Sequence, residues 1–159
     1  MMSGIRGKNT RPELIIRKAL YSRGFRYKLH DKKLPGKPDL VFPEYYSVMF
    51  IHGCFWHGHN CHLFKWPSTH PKFWQIKINR NREVDERNYK QLNKDGWYIL
   101  TIWECGLKGK SRKPLPEIIE RTSHWLKYET RNKQIKGKNS GRNKWKQFMY
   151  FIDIPYGTV

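Results

Sequence analysis

The chain reads as an α/β domain, and three observations predict it. An amphipathic helical pattern opens the chain. Two short β-prone runs bounded by turns follow. Beyond a loop rich in metal-ligating residues, a long polar helix, a third strand and a last helix alternate. A chain of 159 residues holds one such domain with a tail.

Each element has a local cause. Thr10-Arg11-Pro12-Glu13 has the form of a capping box with proline in the first turn, which starts a helix from Arg11 to about Arg23. Leu14, Ile15, Ala19 and Leu20 supply its apolar face, and Gly24 stops it. Phe25 to Leu29 reads as a short strand. The rigid turn Leu34-Pro35-Gly36-Lys37-Pro38 feeds Asp39-Leu40-Val41-Phe42, and after a second turn Ser47 to His52 reads as a buried strand, so that the two form a hairpin. The stretch from His52 to Pro71 is neither helical nor alternating and holds five histidines and two cysteines. Phe73 to Lys94 reads as a long polar helix stopped by Gly96, Trp97 to Trp103 as a strand, and Leu115 to Tyr128 as a helix. From Arg131 to Lys146 there are seven basic residues and no acid, the composition of a solvated tail. Gln147 to Ile154 suits one more short strand. The expected organisation is a domain over residues 1–130 and a basic extension over 131–159.

Charge narrows the partners. Lys and Arg number 32 against 13 Asp and Glu, a formal net charge of +19. A field of that sign attracts polyanions, and nucleic acid is the polyanion the composition favours. No run approaches the roughly 18 consecutive apolar residues of a membrane span. The N-terminus lacks a signal-peptide pattern, so a cytoplasmic protein with no membrane partner is expected. Cys54, Cys61 and Cys105 cannot all pair with one another, and in a reducing compartment free thiols or metal ligands are expected instead of disulfides.

Three constellations carry chemistry. Asp39 opens a strand directly after Pro-Gly-x-Pro, where a nuclease carboxylate would hold Mg²⁺ against a scissile phosphate; an aspartate that only satisfies a turn is the competing reading. The acid-x-lysine that nucleases often carry on the next strand is absent, since that strand ends Phe50-Ile51-His52. Histidine must then take the proton-handling role, with His52 and His57 as candidates and Glu13 as an acid reached across space or merely the third residue of its cap. The second constellation is His59-x-Cys61 with the distant Cys105. These are three of the four donors zinc requires, and Asp85, His62 or Cys54 could be the fourth. The third is Phe55-Trp56 with Trp66 and Trp74, aromatics that either pack in a core or insert into stacked bases.

Taken in register, Pro35-Gly36-Lys37-Pro38-Asp39, then His52-Gly53-Cys54-Phe55-Trp56-His57-Gly58-His59-Asn60-Cys61, then Trp103-Glu104-Cys105 resemble the very-short-patch-repair (Vsr) mismatch endonucleases over about residues 3 to 128. The resemblance implies a restriction-endonuclease-like α/β/α core around a central mixed β-sheet, with a structural zinc site. It implies a Mg²⁺-dependent enzyme that nicks duplex DNA 5′ of the thymine of a T·G mismatch left by 5-methylcytosine deamination. It makes Asp39 and the Ile51 backbone carbonyl the Mg²⁺ ligands and His57 the catalytic histidine. His52 and Glu13 join that site, His59, Cys61, Asp85 and Cys105 become the Zn²⁺ ligands, and Phe55, Trp56 and Trp74 the intercalating aromatics. Its expected partners are mismatched double-stranded DNA, mismatch-repair proteins and a companion cytosine methyltransferase, met as a monomer. Gly58 and Asn60 depart from the fuller histidine run the family can carry. Two other readings stand beside this one: a general or defence-associated nickase on the same scaffold, and a non-catalytic zinc module that only binds nucleic acid.

Overall fold

The computed structural model describes residues 8–138. Its elements are α1 (Arg11–Ser22), β1 (Lys28–Leu29), β2 (Leu40–Phe42), β3 (Ser47–His52), α2 (Pro71–Lys94), β4 (Tyr98–Trp103), α3 (Leu115–Tyr128) and β5 (Lys133–Ile135), with single 3₁₀ turns at Pro43–Tyr45 and Glu104–Gly106. The strands form one mixed sheet in the order β1-β2-β3-β4-β5. The hairpin is present, with β2 antiparallel to both β1 and β3. β4 runs parallel to β3, and β5 runs parallel to β4. Parallel neighbours need a long crossover, which α2 provides between β3 and β4 and α3 between β4 and β5.

Strand alternation sorts the core into two layers. Leu40, Phe42, Met49, Leu100 and Ile102 pack with Ile16 and Leu20 of α1 and with Ile118, Trp125 and Leu126 of α3. Val41, Val48, Phe50 and Ile99 pack on the opposite face with Tyr89 and Leu92 of α2. Each face of the sheet is thereby removed from water, which is the main stabilising term for such a layered domain. α2 begins two residues before the expected Phe73, because Pro71 is tolerated in a first turn, and His70 caps it in the left-handed conformation.

The segment from Arg131, expected to be solvated, differs. Its first residues form β5, with Ile135 buried in the core. Asn132 Oδ1 accepts the Ile99 amide at 2.9 Å and Gln134 Oε1 accepts Trp103 Nε1 at 2.9 Å. One apolar residue and two edge-satisfying amides outweigh the basic composition there. The expected strand at Gln147 to Ile154 lies outside the described residues. Among the described residues no helix is long and apolar enough to cross a membrane.

Candidate active site and metal centre

The start of β2 and the carboxyl ends of β3 and β4 meet at one edge of the sheet, because the register sets Leu40 beside Met49 and His52 beside Trp103. Asp39, one residue before β2, accepts the Ile51 amide on Oδ2 at 2.7 Å. Ile51 thus meets Asp39 through its nitrogen. Burial pushes the Asp39 carboxyl up to about 6, the Ile51 hydrogen bond opposes that rise, and Glu13 adds to it. His30 and His57 are close enough to act on the same carboxylate as opposing charges.

Glu13 lies 1% exposed on α1. Thr10 Oγ1 accepts the Glu13 amide at 3.4 Å, half of the expected capping box. The other half is absent, since the Glu13 carboxylate accepts the Asn9 amide at 2.9 Å and meets Arg17 at 3.3 Å and His30 Nε2 at 2.5 Å. Glu13, His30 and Asp39 each present a donor atom within one 4.8 Å cluster.

His52 and His57 stack face to face, ring centroids 3.7 Å apart at an interplanar angle of 1°. His52 is buried, and burial together with the neighbouring His57 and His59 holds its imidazole well below the ordinary histidine range. It is therefore neutral at physiological pH, and Tyr89 Oη lies 3.4 Å from its Nδ1. His57 is half-buried, with Nδ1 against Asp85 Oδ2 of α2. α2 also fixes the loop that carries His57. Asn81 Nδ2 donates to the Trp56 carbonyl at 2.9 Å, and Arg82 donates to the carbonyls of His57 and Gly58. Gly58 has φ +60°, and a Cβ there would lie 2.5 Å from the Arg82 guanidinium. Glycine at this departure from the histidine run thus makes room for Arg82.

A second group of donors sits behind the histidines. Cys54, His59, Cys61 and Cys105 bring one ligand atom each within 4.8 Å of one another. His59 Nδ1 is 3.5 Å from Cys54 Sγ and 3.6 Å from Cys105 Sγ. Cys105 is held well below the ordinary thiol range by hydrogen bonds from Cys54 and Cys61, and His59 and the Gly137 amide add to this. Three sulfurs and one imidazole nitrogen, mostly buried, suit a tetrahedral ion such as zinc with no position left for substrate.

This arrangement differs from one expectation. Asp85 is placed on His57, and Cys54 takes the fourth place in the sulfur cluster. The reason is the turn geometry of residues 53–59, where the His59 amide donates to the Cys54 carbonyl at 2.9 Å and folds both side chains inward. Asp85 lies a helix away. The sequence left Cys54 open as one of three candidates, and it offered no signal for His30, Tyr89 or Arg82. His62 lies outside the cluster, with Nδ1 2.8 Å from Ser111 Oγ.

Phe55, Trp56 and Trp74 form a half-buried aromatic group beside the histidines, with Phe55 5.3 Å from each tryptophan by ring centroid. Phe64 adjoins Phe55 and Trp66, and Trp66 and Phe73 are exposed at 40% and 57%. Rings left partly in water on a strongly basic surface are available to stack on bases.

Comparison with known proteins points the same way. A family profile described as DNA mismatch endonuclease Vsr matches residues 1–63. The chain is 40% identical over 134 residues to the DNA mismatch endonuclease Vsr of Escherichia coli strain K12, an alignment spanning 84% of this chain and 86% of that protein. It is 46% identical over 107 residues to the type II nicking enzyme V.XorIIP of Xanthomonas oryzae pv. oryzae, spanning 67% of this chain and 79% of that one. With the type II nicking enzyme V.NmeAIP of Neisseria meningitidis it shares 45% identity over 111 residues, 70% and 79% of the two chains.

Proposed function

The chain belongs to the Vsr DNA mismatch endonuclease family, and from that premise we propose that it nicks duplex DNA 5′ of the thymine in a T·G mismatch. It is a DNA endonuclease, a hydrolase of phosphodiester bonds. The sheet with helices on both faces is assigned to the restriction-endonuclease-like fold. Asp39, with the Ile51 carbonyl as a second oxygen donor, would hold Mg²⁺. When bound, the cation supplies charge neutralisation for the phosphoryl oxygens and the leaving 3′-oxygen.

The observation that carries this reading is the Asp85–His57 pair on the Asp39 edge of the sheet. Asp85 fixes the tautomer with the proton on Nδ1, so Nε2 keeps its lone pair for a proton of the attacking water. The neutral face of His52 supports the His57 ring and keeps a second positive charge out of the stack. Glu13 takes part through its contacts beside Asp39. Cys54, His59, Cys61 and Cys105 would hold a structural Zn²⁺, which would tie the loop carrying His57 to the turn after β4. Phe55, Trp56 and Trp74 wedge into the helix, and a mismatched step yields to them at lower cost than a paired one. A companion cytosine methyltransferase and mismatch-repair proteins are the partners that such a substrate implies.

Two variants test the proposal. Asp39→Ala should abolish nicking while DNA affinity stays within about threefold, since phosphate contacts dominate binding; retained cleavage removes Asp39 from the mechanism. Trp56→Ala should reduce discrimination between T·G and T·A duplexes more than it reduces non-specific affinity, and equal losses on both would leave Trp56 as packing alone. The relatives named as nicking enzymes favour one second reading, a nickase that needs no mismatch, which predicts equal cutting of both duplexes.

A further inference from the structure

Resting on the reading of Asp39 as a cation ligand, we propose that His30 is a further ligand at that site. Glu13, His30 and Asp39 then form one mixed nitrogen and oxygen site that accepts Mg²⁺ and binds a first-row divalent cation such as Mn²⁺ more tightly.

The placement follows from the sheet. β1 pairs with β2 through Lys28 with Val41 and Leu29 with Leu40, so the next step sets His30 opposite Asp39. The His30 amide donates to the Asp39 carbonyl at 3.2 Å and confirms that register. His30 has φ +45°, a left-handed conformation uncommon for a residue with a Cβ. The imidazole is thereby turned toward α1, where its Nε2 lies 2.5 Å from Glu13 Oε1. Helix α1 and the residues flanking the paired ends of β1 and β2 each deliver one donor to the same 4.8 Å cluster. The Glu13 side chain is 2% exposed and that of His30 19%, so the donors are fixed by the protein and not by solvent.

The donor set decides the class of cation. Mg²⁺ and Ca²⁺ are held by oxygen, whereas an imidazole nitrogen favours first-row transition ions. A purely structural role, with the pair only pinning α1 to β1, is the alternative that the test must separate.

The test is a Mn²⁺ titration of the zinc-loaded, full-length protein without DNA, read by electron paramagnetic resonance. Wild type should bind one Mn²⁺ that Asp39→Ala abolishes, with a ¹⁴N coupling from a bound imidazole. His30→Gln keeps a donor for Glu13, so it should preserve the fold. It should also remove that coupling and weaken Mn²⁺ by at least about tenfold. Mg²⁺ affinity, read by competition, should change by no more than about threefold. Unchanged Mn²⁺ affinity, or a persisting ¹⁴N coupling, in His30→Gln would overturn the ligand role while leaving Asp39 in place. Mn²⁺ binding that survives Asp39→Ala would instead overturn the reading of Asp39 itself.

Discussion

At the scale of single residues, Asp85 and Cys54 are the two side chains whose positions matter most for the chemistry. If Cys54 completes the sulfur cluster, Cys54→Ser should release zinc and lower the unfolding midpoint, because structural zinc contributes folding energy. Asp85→Asn should keep full zinc content and lose about 10²-fold to 10⁴-fold in kcat, since it removes only the group that orients His57. Zinc analysis beside single-turnover kinetics separates the two, and zinc loss in Asp85→Asn would return Asp85 to the ligand set. Asp39 gives a pH dependence. Its folded value of about 6 lies above the unfolded value near 4, so the folded chain holds the proton more tightly. The cation-free protein therefore loses stability as pH rises from about 4 to about 6, and a cation on the carboxylate restores it above that window. Cation affinity of the DNA-free protein should accordingly fall by about tenfold per pH unit below about 6, measured by calorimetric titration. A flat profile would contradict the assignment. His52 and His57 stood out in the sequence because ligating residues crowd a stretch with no periodicity, and Asp39 because it opens a strand directly after Pro-Gly-x-Pro. Asp85 did not, since a polar helix does not reveal which of its residues meets which loop. His30 was hidden by a strand of two residues, whose pairing alone sets it opposite Asp39.

The elements were legible where a pattern is long or a turn is strong. β3 and α3 match their expected bounds, and α1 and β4 fall one residue short at a single end. β5 was read as tail because charge outweighed a three-residue alternation. Its attachment has a clear structural basis. The Gly137 amide donates to Cys105 Sγ at 3.3 Å, and the Lys138 amide donates to the Ser111 carbonyl at 2.7 Å. A Cβ on Gly137 would sit 2.5 Å from the Cys105 carbonyl oxygen and 2.9 Å from Ser111 Cβ. Gly137→Ala should therefore destabilise the protein by about 1–3 kcal/mol through forced displacement of a packed segment, with Lys133→Ala near neutral, both measured by urea unfolding. Truncation after residue 130 should be more damaging still, because it removes Ile135 from the core and turns β4 into an edge strand. Equal stability of the truncated and full chains would show that β5 contributes nothing.

For the whole molecule, a net charge of +19 acts on every phosphate within reach. Binding to an undamaged duplex should weaken steeply with salt, log affinity falling by about 0.9 per phosphate contact for each unit of log salt. A shallow slope would place the basic residues away from DNA. Charge of this kind brings the protein to DNA without choosing a site on it. In the proposed function, selection then falls to the aromatic group, and cutting to Asp39 with the His57–Asp85 pair.

The most direct test of that account is a strand-specific nicking assay on a T·G duplex and its T·A control, with Mg²⁺ and with EDTA, over several flanking sequences. Magnesium-dependent cleavage 5′ of the mismatched thymine, absent from the T·A duplex, is the predicted result. Equal cleavage of both duplexes, or no cleavage in any flanking sequence, would contradict it.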